Sequence, residues 1–268
     1  MRILGLREIF DTEGKIIVGV VHLKPLPGAP LWGGDINEVI ESALKDARAL
    51  EEGGVHGIIV ENFWDAPYRI RVREPETIAA FTVVAREVTK EVSIPVGLNL
   101  LRNSAIEAAS IAYVVGAKFI RVNVYSEAMV TDSGFIQPVA PQLLRYLKKL
   151  NASLGIFADV RVKHASPLSF RPIEDVIIDT FKREKASCVI LTGSRTGTPP
   201  DREVLEKAKS LGVGPILIGS GLTIDRINLL KFADGAIVGT FFKKHGKISE
   251  PVDISRVRRL MDLVRQSF

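Results

Sequence analysis

A single cysteine, Cys188, stands in a chain of 268 residues, and it lies inside an apolar run. No internal disulfide can form, so a reducing cytoplasm is the expected setting. Long apolar stretches are also missing. None approaches the ~18 residues needed to span a bilayer, and no apolar signal region opens the sequence, so membrane insertion is not expected. Nor is charge of one sign concentrated. Lys and Arg number 36 against 31 Asp and Glu, and they are spread along helical segments rather than run together. Such a pattern reads as a solvated basic surface and gives no expectation of nucleic-acid binding. Familiar catalytic signatures are absent too: no G-x-S-x-G elbow, no Walker loop, no histidines paired one helical turn apart. Serine-nucleophile and P-loop chemistry therefore have no local support. No metal and no cofactor is expected, although His22, Glu61, Asp159 and His164 could converge as ligands if their strand ends met.

What the chain does have is apolar residues, 46% of the total, enough for a sizeable core. They recur as short runs rich in Val and Ile: Ile16–Leu23, Gly57–Phe63, Pro95–Leu101, Phe119–Val124, Gly155–Val162, Cys188–Gly193, Pro215–Ser220 and Gly235–Thr240. Segments with helical spacing lie between them, such as INEVIESALKDARALEEG, which ends at glycine. Near-continuous apolar strands alternating with helices imply a parallel sheet covered on its outer face. Eight such units without a break in composition predict one (β/α)8 TIM barrel over 1–268, closed by a helix from Asp253 to Ser267. A doubly wound open sheet is the alternative, and the count of eight favours the barrel.

Loop lengths orient that barrel. Helix-to-strand connections are terse (GGVH, VSIP, GAK, ADG), whereas strand-to-helix connections are long, among them KPLPGAPLWGGDIN, YSEAMVTDSGFIQPVAP and HASPLSFRP. Barrel active sites are built from the loops after the strands, so these mark the functional mouth; merely covering the barrel end is the plainer reading.

Two turns narrow the expectation further. PILIGSGLT (Pro215 to Thr223) and GAIVGTFFKK (Gly235 to Lys244) each end an apolar run in glycine beside a hydroxyl. In the last two units of a barrel, such turns hold a phosphate on backbone N–H groups. Ser220, Gly221, Gly239 and Thr240 are the expected contacts, with a phosphorylated small molecule as ligand. The plain alternative is two tight turns that need glycine. The loop Gly193–Gly197 (GSRTG) could bind a second anion or close over substrate.

Polar groups also crowd the strand ends: His22, Glu61 with Asn62, Asn99, Arg121 and Asn123, Asp159 with Lys163 and His164, Thr192 and Ser194. Charges inside a parallel barrel are costly unless paired or working. Alternation places Arg121 with Asn123, and Asp159 with Arg161 and Lys163, suggesting a carboxylate held between two cations. Candidate catalytic groups are Asp159, Lys163, His164, Glu61 and His22. Asn99, Arg121, Asn123, Thr192 and Ser194 are candidate substrate contacts. Each has a structural alternative: Asp159 a salt-bridge partner for Arg121 or Arg161, Lys163 a phosphate cation or rim charge rather than an imine-forming nucleophile, His164 a solvent-facing loop residue.

Several stretches together resemble the BtpA family: VVHLKPLPGAP, IVENFWDAPY, LNLLRNSA, ADVRVKHASPL, LTGSRTGTPPD and IGSGLT. The resemblance runs nearly the length of the chain, and its Asp-x-x-x-Lys-His segment is the most specific part. It implies a phosphate-binding barrel similar to phosphoribosylanthranilate isomerase. The family is named for a photosystem I biogenesis factor, has members outside photosynthetic organisms and in sugar-utilisation operons, and includes some labelled nucleosidases. Phosphoribosylanthranilate isomerase uses a cysteine base after its first strand. Here that strand ends in His22 and Leu23, so the isomerase reaction itself is not expected.

The resulting expectation is an enzyme of isomerase or epimerase type acting on a phosphorylated sugar or ribosyl compound. N-glycosyl cleavage and a non-catalytic assembly role are the alternatives. Barrels of this kind often self-associate, so a homo-oligomer is expected.

Overall fold

Residues 1–193 and 195–268 are described by a computed structural model; Ser194, one of the expected substrate contacts, lies outside the described residues. Eight parallel strands form the barrel: β1 (Ile16–His22), β2 (Gly57–Glu61), β3 (Val96–Asn99), β4 (Phe119–Val122), β5 (Ser153–Val160), β6 (Cys188–Leu191), β7 (Ile216–Ile218) and β8 (Gly235–Val238). Each pairs with its neighbour in sequence, and β8 closes on β1 with Val238 opposite Gly19. All eight expected strands are present, most a few residues shorter at the mouth end.

Helices α1 (Ile36–Glu52), α2 (Pro75–Glu91), α3 (Ala105–Val115), α4 (Ala140–Leu150), α5 (Ile173–Lys182) and α6 (Arg202–Ser210) cover the outer face. A 3-10 segment, Ile224–Phe232, follows β7, and α7 (Ile254–Ser267) follows β8. Its N-cap is Asp253, whose carboxylate accepts from Ser255 N at 2.9 Å. A first-turn acceptor of this kind satisfies an orphan N–H, which is why α7 starts there.

Alternation along the strands builds two cores. Ile17, Val21, Ile58, Val60, Leu98, Ile120 and Ile156 face outward and pack on the helices. Ile16, Val18, Val20, Ile59, Phe119, Phe157, Ile190, Leu217 and Ile237 face inward and fill the barrel. The floor is stopped by a short helix, Leu6–Phe10, whose Phe10 meets Phe119 edge-on at 5.6 Å, while Phe119 stacks on Phe157 at 4.3 Å. Gly97 makes room for that stack, since a Cβ there would sit 2.2 Å from Phe119 Cε2. Each buried side chain of this size contributes about 1.5–3 kcal/mol, so the floor is the mechanical base of the barrel.

One long connection is more ordered than its composition suggests. Within 123–139, Met129–Thr131 and Gly134–Ile136 form a hairpin, and Ala165–Pro167 from the loop after β5 pairs with it. This small antiparallel sheet ties the fourth and fifth mouth loops together. No helix of the described residues is long and apolar enough to cross a membrane.

Candidate active site at the barrel mouth

Two residues beyond the apolar layer, the inward positions turn polar. Val20 gives way to His22, Ile59 to Glu61, Phe119 to Arg121 and Phe157 to Asp159. The side chains so aligned form one network. Arg121 grips Asp159 through two hydrogen bonds, Nε to Oδ2 at 2.9 Å and Nη2 to Oδ1 at 3.0 Å. Asn123 Nδ2 donates to Asp159 Oδ2 at 2.9 Å. On the other side, Arg121 Nη1 lies 3.9 Å from Glu61 Oε2, which also accepts from Asn99 Nδ2 at 2.5 Å. A bidentate pair of this kind is both charge-assisted and rigid.

This corrects one expectation. Asp159 is not held between Arg161 and Lys163; its cation is Arg121, on the neighbouring strand. The reason is local. The strand ends at Val160, and Arg161 takes a left-handed backbone with φ 54°, which breaks the alternation. Arg161 turns instead to Arg171 O and sits 3.9 Å from Glu127. His164 is left-handed as well, at φ 57°. Two non-glycine residues in that region cost of order 1–3 kcal/mol each, and they set Lys163 between them.

Above the network lie two adjoining cavities. One, of about 240 Å³, is lined by both glycine turns (Gly219 to Thr223 and Val238 to Phe241), by Thr196, Gly197 and Arg256, and by His22. The other, of about 150 Å³, is lined by Phe63, Tyr68, Arg102, Asn123, Asp132 and His164 among others. Four of the described residues line both: Glu61, Arg121, Lys163 and Thr196. They are the shared wall of a single cleft.

The turns are shaped as the sequence implies, with some duties reassigned. Gly221 has φ +75°, and a Cβ there would lie 2.3 Å from Pro199 N, so glycine serves close packing as well as turn geometry. Ser220 Oγ donates to Thr198 O at 2.8 Å, just past the GSRTG segment. After Gly239 a short 3-10 turn, Thr240–Phe242, begins with no side-chain cap. The first N–H groups of such a turn lack partners within it. A Cβ on Gly239 would come within 2.8 Å of His22 Cε1. Lys243 does not join the mouth; it is buried and paired with Asp46 of α1.

His22 stacks edge-on against Phe63 at 4.8 Å, and its Nδ1 is buried without a partner among the described residues. Burial, then the charges of Lys243, Lys163 and Arg121, hold its pKa well below the ordinary histidine value, so it is neutral at pH 7. Burial first, then Arg121, also lowers Lys163 from the usual lysine value. His164 is exposed at the rim, its Nε2 3.2 Å from Thr196 Oγ1, and is lowered by partial burial and by Lys163.

Of the other sequence candidates, Asn99 donates to Glu61, and Thr192, which lines neither cavity, has its Oγ1 buried without a partner among the described residues. Sequence reasoning missed Arg256, Arg102 and Tyr68. Arg256 stacks over Phe241 at 4.6 Å and donates Nε to Phe241 O at 2.7 Å. It was traceable: a helix that follows the last strand returns to the mouth in its first turn. Among the described residues no group of three or more His, Cys, Asp or Glu could hold a metal ion.

Comparison with known proteins agrees with this architecture. The BtpA family profile matches residues 13–266. The chain belongs to the BtpA family. The photosystem I biogenesis protein BtpA of Synechocystis is 44% identical over 98% of this chain and 92% of its own length. An uncharacterized Pyrococcus furiosus protein is 47% identical over 94% and 95% of the two chains. Among solved structures, N-(5'-phosphoribosyl)anthranilate isomerase from Pyrococcus furiosus superposes with a TM-score of 0.56 at 16% identity, covering 94% of this BtpA-family chain and 99% of the isomerase. That likeness is one of fold.

Proposed function

We propose that this BtpA-family barrel is an enzyme acting on a phosphorylated sugar or ribosyl compound by acid–base chemistry of the isomerase or epimerase type. One observation carries the reading: a cleft whose one end is built from the two glycine turns and Arg256, and whose other wall is Glu61, Arg121 and Lys163. The phosphate sits on the turns, with the N–H groups after Ser220, Gly221 and Gly239, the Thr240 hydroxyl and the Arg256 guanidinium as donors. Among the described residues no carboxylate pairs with Arg256, so its charge is available.

Roles then divide by what each group already touches. Both Asp159 oxygens are taken by Arg121 and Asn123, so Asp159 fixes Arg121 rather than moving a proton. Glu61 faces the cleft and is oriented by Asn99, which suits a general base. His22, neutral and half-buried, can hydrogen-bond a substrate oxygen. His164 stands at the rim with Thr196, where it can close over a bound ligand.

A second reading has its own support. The 44% identity to a protein named for photosystem I biogenesis favours an assembly role without catalysis. Thermal-shift measurements with ribose phosphates and nucleotides separate the two. A ligand at a hundred times its Kd adds about 2.7 kcal/mol, worth a rise of several degrees at this chain length by the usual scaling of roughly 2–4 °C per kcal/mol. No rise with any phosphorylated ligand would leave the assembly reading standing.

A further inference from the structure

Two lysines stand near the barrel mouth, Lys243 buried and Lys163 half-buried, and they are treated differently. Lys243 is neutralised by Asp46 and lies outside the cleft. Lys163 lines both cavities, and none of the described residues accepts a hydrogen bond from its Nζ or forms an ion pair with it. Its backbone is nonetheless pinned. Arg102 Nη2 donates to Lys163 O at 3.0 Å, and left-handed Arg161 and His164 flank it. The cations nearest it are Arg121, already satisfied by Asp159, and Arg102, 3.5 Å from Asp132. The carboxylates acting on it are Glu61 and Asp159, and Glu61 is the one that lines the same cleft. A cation placed only to bind phosphate belongs beside the glycine turns, where Arg256 stands. Lys163 instead lines both cavities, so a ligand anchored on the turns and reaching into the second cavity passes it.

From this placement we propose that Lys163 is a covalent nucleophile that forms an imine with the carbonyl carbon of a phosphorylated aldose or ketose. The inference rests on the sugar-phosphate reading above and names its chemistry. The Nζ lone pair adds to the carbonyl carbon, and the carbonyl oxygen takes a proton to give a carbinolamine. The nitrogen then gives up a proton, the hydroxyl takes a second one, the C–O bond breaks with its electron pair going to oxygen, water leaves, and the nitrogen lone pair closes a C=N bond that carries the positive charge. That cation acidifies the adjacent C–H. Glu61 accepts the proton, giving an enamine; solvent returns one to that same carbon on its opposite face, inverting it and restoring the C=N cation, and Glu61 releases its proton to solvent. Addition of water reverses the sequence and frees Lys163, with no net oxidation or reduction. A lysine amine is nucleophilic only when unprotonated, and burial with two neighbouring guanidinium groups favours that form.

Borohydride reduction tests this directly, because it converts an imine to a stable secondary amine and leaves an ion pair untouched. The full chain is incubated with ribose 5-phosphate or with dihydroxyacetone phosphate, reduced, and mapped by peptide mass spectrometry. In parallel, glycerol 3-phosphate, which has no carbonyl, is titrated by thermal shift. The expected result is one reduced substrate remnant on Lys163, suppressed by excess glycerol 3-phosphate and absent from Lys163→Arg. Its yield should rise with pH through a midpoint below the ordinary lysine range. Stabilisation by glycerol 3-phosphate without any adduct on Lys163 overturns the imine and leaves the phosphate reading intact. Adducts confined to other lysines overturn it equally. Failure of every phosphate ester to bind removes both readings together.

Discussion

The floor and the mouth of this barrel are made by the same strands and hold opposite chemistry. Phe119 and Phe157 stack in the floor, while two residues later Arg121 and Asp159 form a buried ion pair. Val20 and Ile59 pack in the core, while His22 and Glu61 face the cleft. The floor draws its stability from area removed from water, which depends little on any one partner. Each member of the mouth network, by contrast, is tolerable only because of its neighbours. Identical backbone geometry thus gives one end that holds the fold together and one end held together by it.

Truncating the floor should have the largest effect. Phe119→Ala opens a cavity against Phe10 and Phe157 and is expected to cost about 3–5 kcal/mol in denaturant unfolding. The protein that stays folded should still respond to phosphate esters. Arg121→Leu attacks the mouth and leaves Asp159 buried with only Asn123 as donor, at a cost of about 3 kcal/mol. Replacing both partners, Arg121→Met with Asp159→Leu, should recover most of that stability while ligand response stays lost. If the double variant were as unstable as the single one, the ion pair would be part of the base, and the contrast between the two ends would fail.

Gly239→Val is milder. Its side chain must displace His22, an overpacking expected to cost about 1–3 kcal/mol, and it should abolish the thermal shift given by phosphate esters. The smallest effect is with pH. His22 is neutral when folded and its pKa is depressed, so the unfolded chain binds more protons as pH falls below about 6.5. Stability is therefore complete above that value and declines below it, by about 1 kcal/mol over the first pH unit or so. The decline should be shallower in His22→Gln, measured by unfolding at pH 7 and pH 5.5.

The fold was largely legible because a parallel barrel buries both faces of its strands, and that writes itself as eight continuous apolar runs. The hairpin at Met129–Ile136 was not, since three-residue strands leave too short an alternation to read beside a long polar loop. At the site, strand-end polarity correctly singled out Glu61, Arg121 and Asp159 as near neighbours. Arg121 was one of the two salt-bridge partners the sequence offered Asp159; the placement between Arg161 and Lys163 failed because alternation was carried past Val160, where the backbone at Arg161 turns left-handed. Arg256 lies about a hundred residues from Asp159 in sequence, on a helix whose amphipathic pattern speaks only of packing.

The central claim is that the turns after β7 and β8 hold a phosphate group. Calorimetric titration of the full chain with ribose 5-phosphate, and with ribose at the same concentrations, tests it most directly. Saturable binding of the phosphate ester to wild type is expected, with none to Gly239→Val and no comparable heat from ribose. Equal binding of ribose and its phosphate, or binding of the ester undiminished in Gly239→Val, would contradict it.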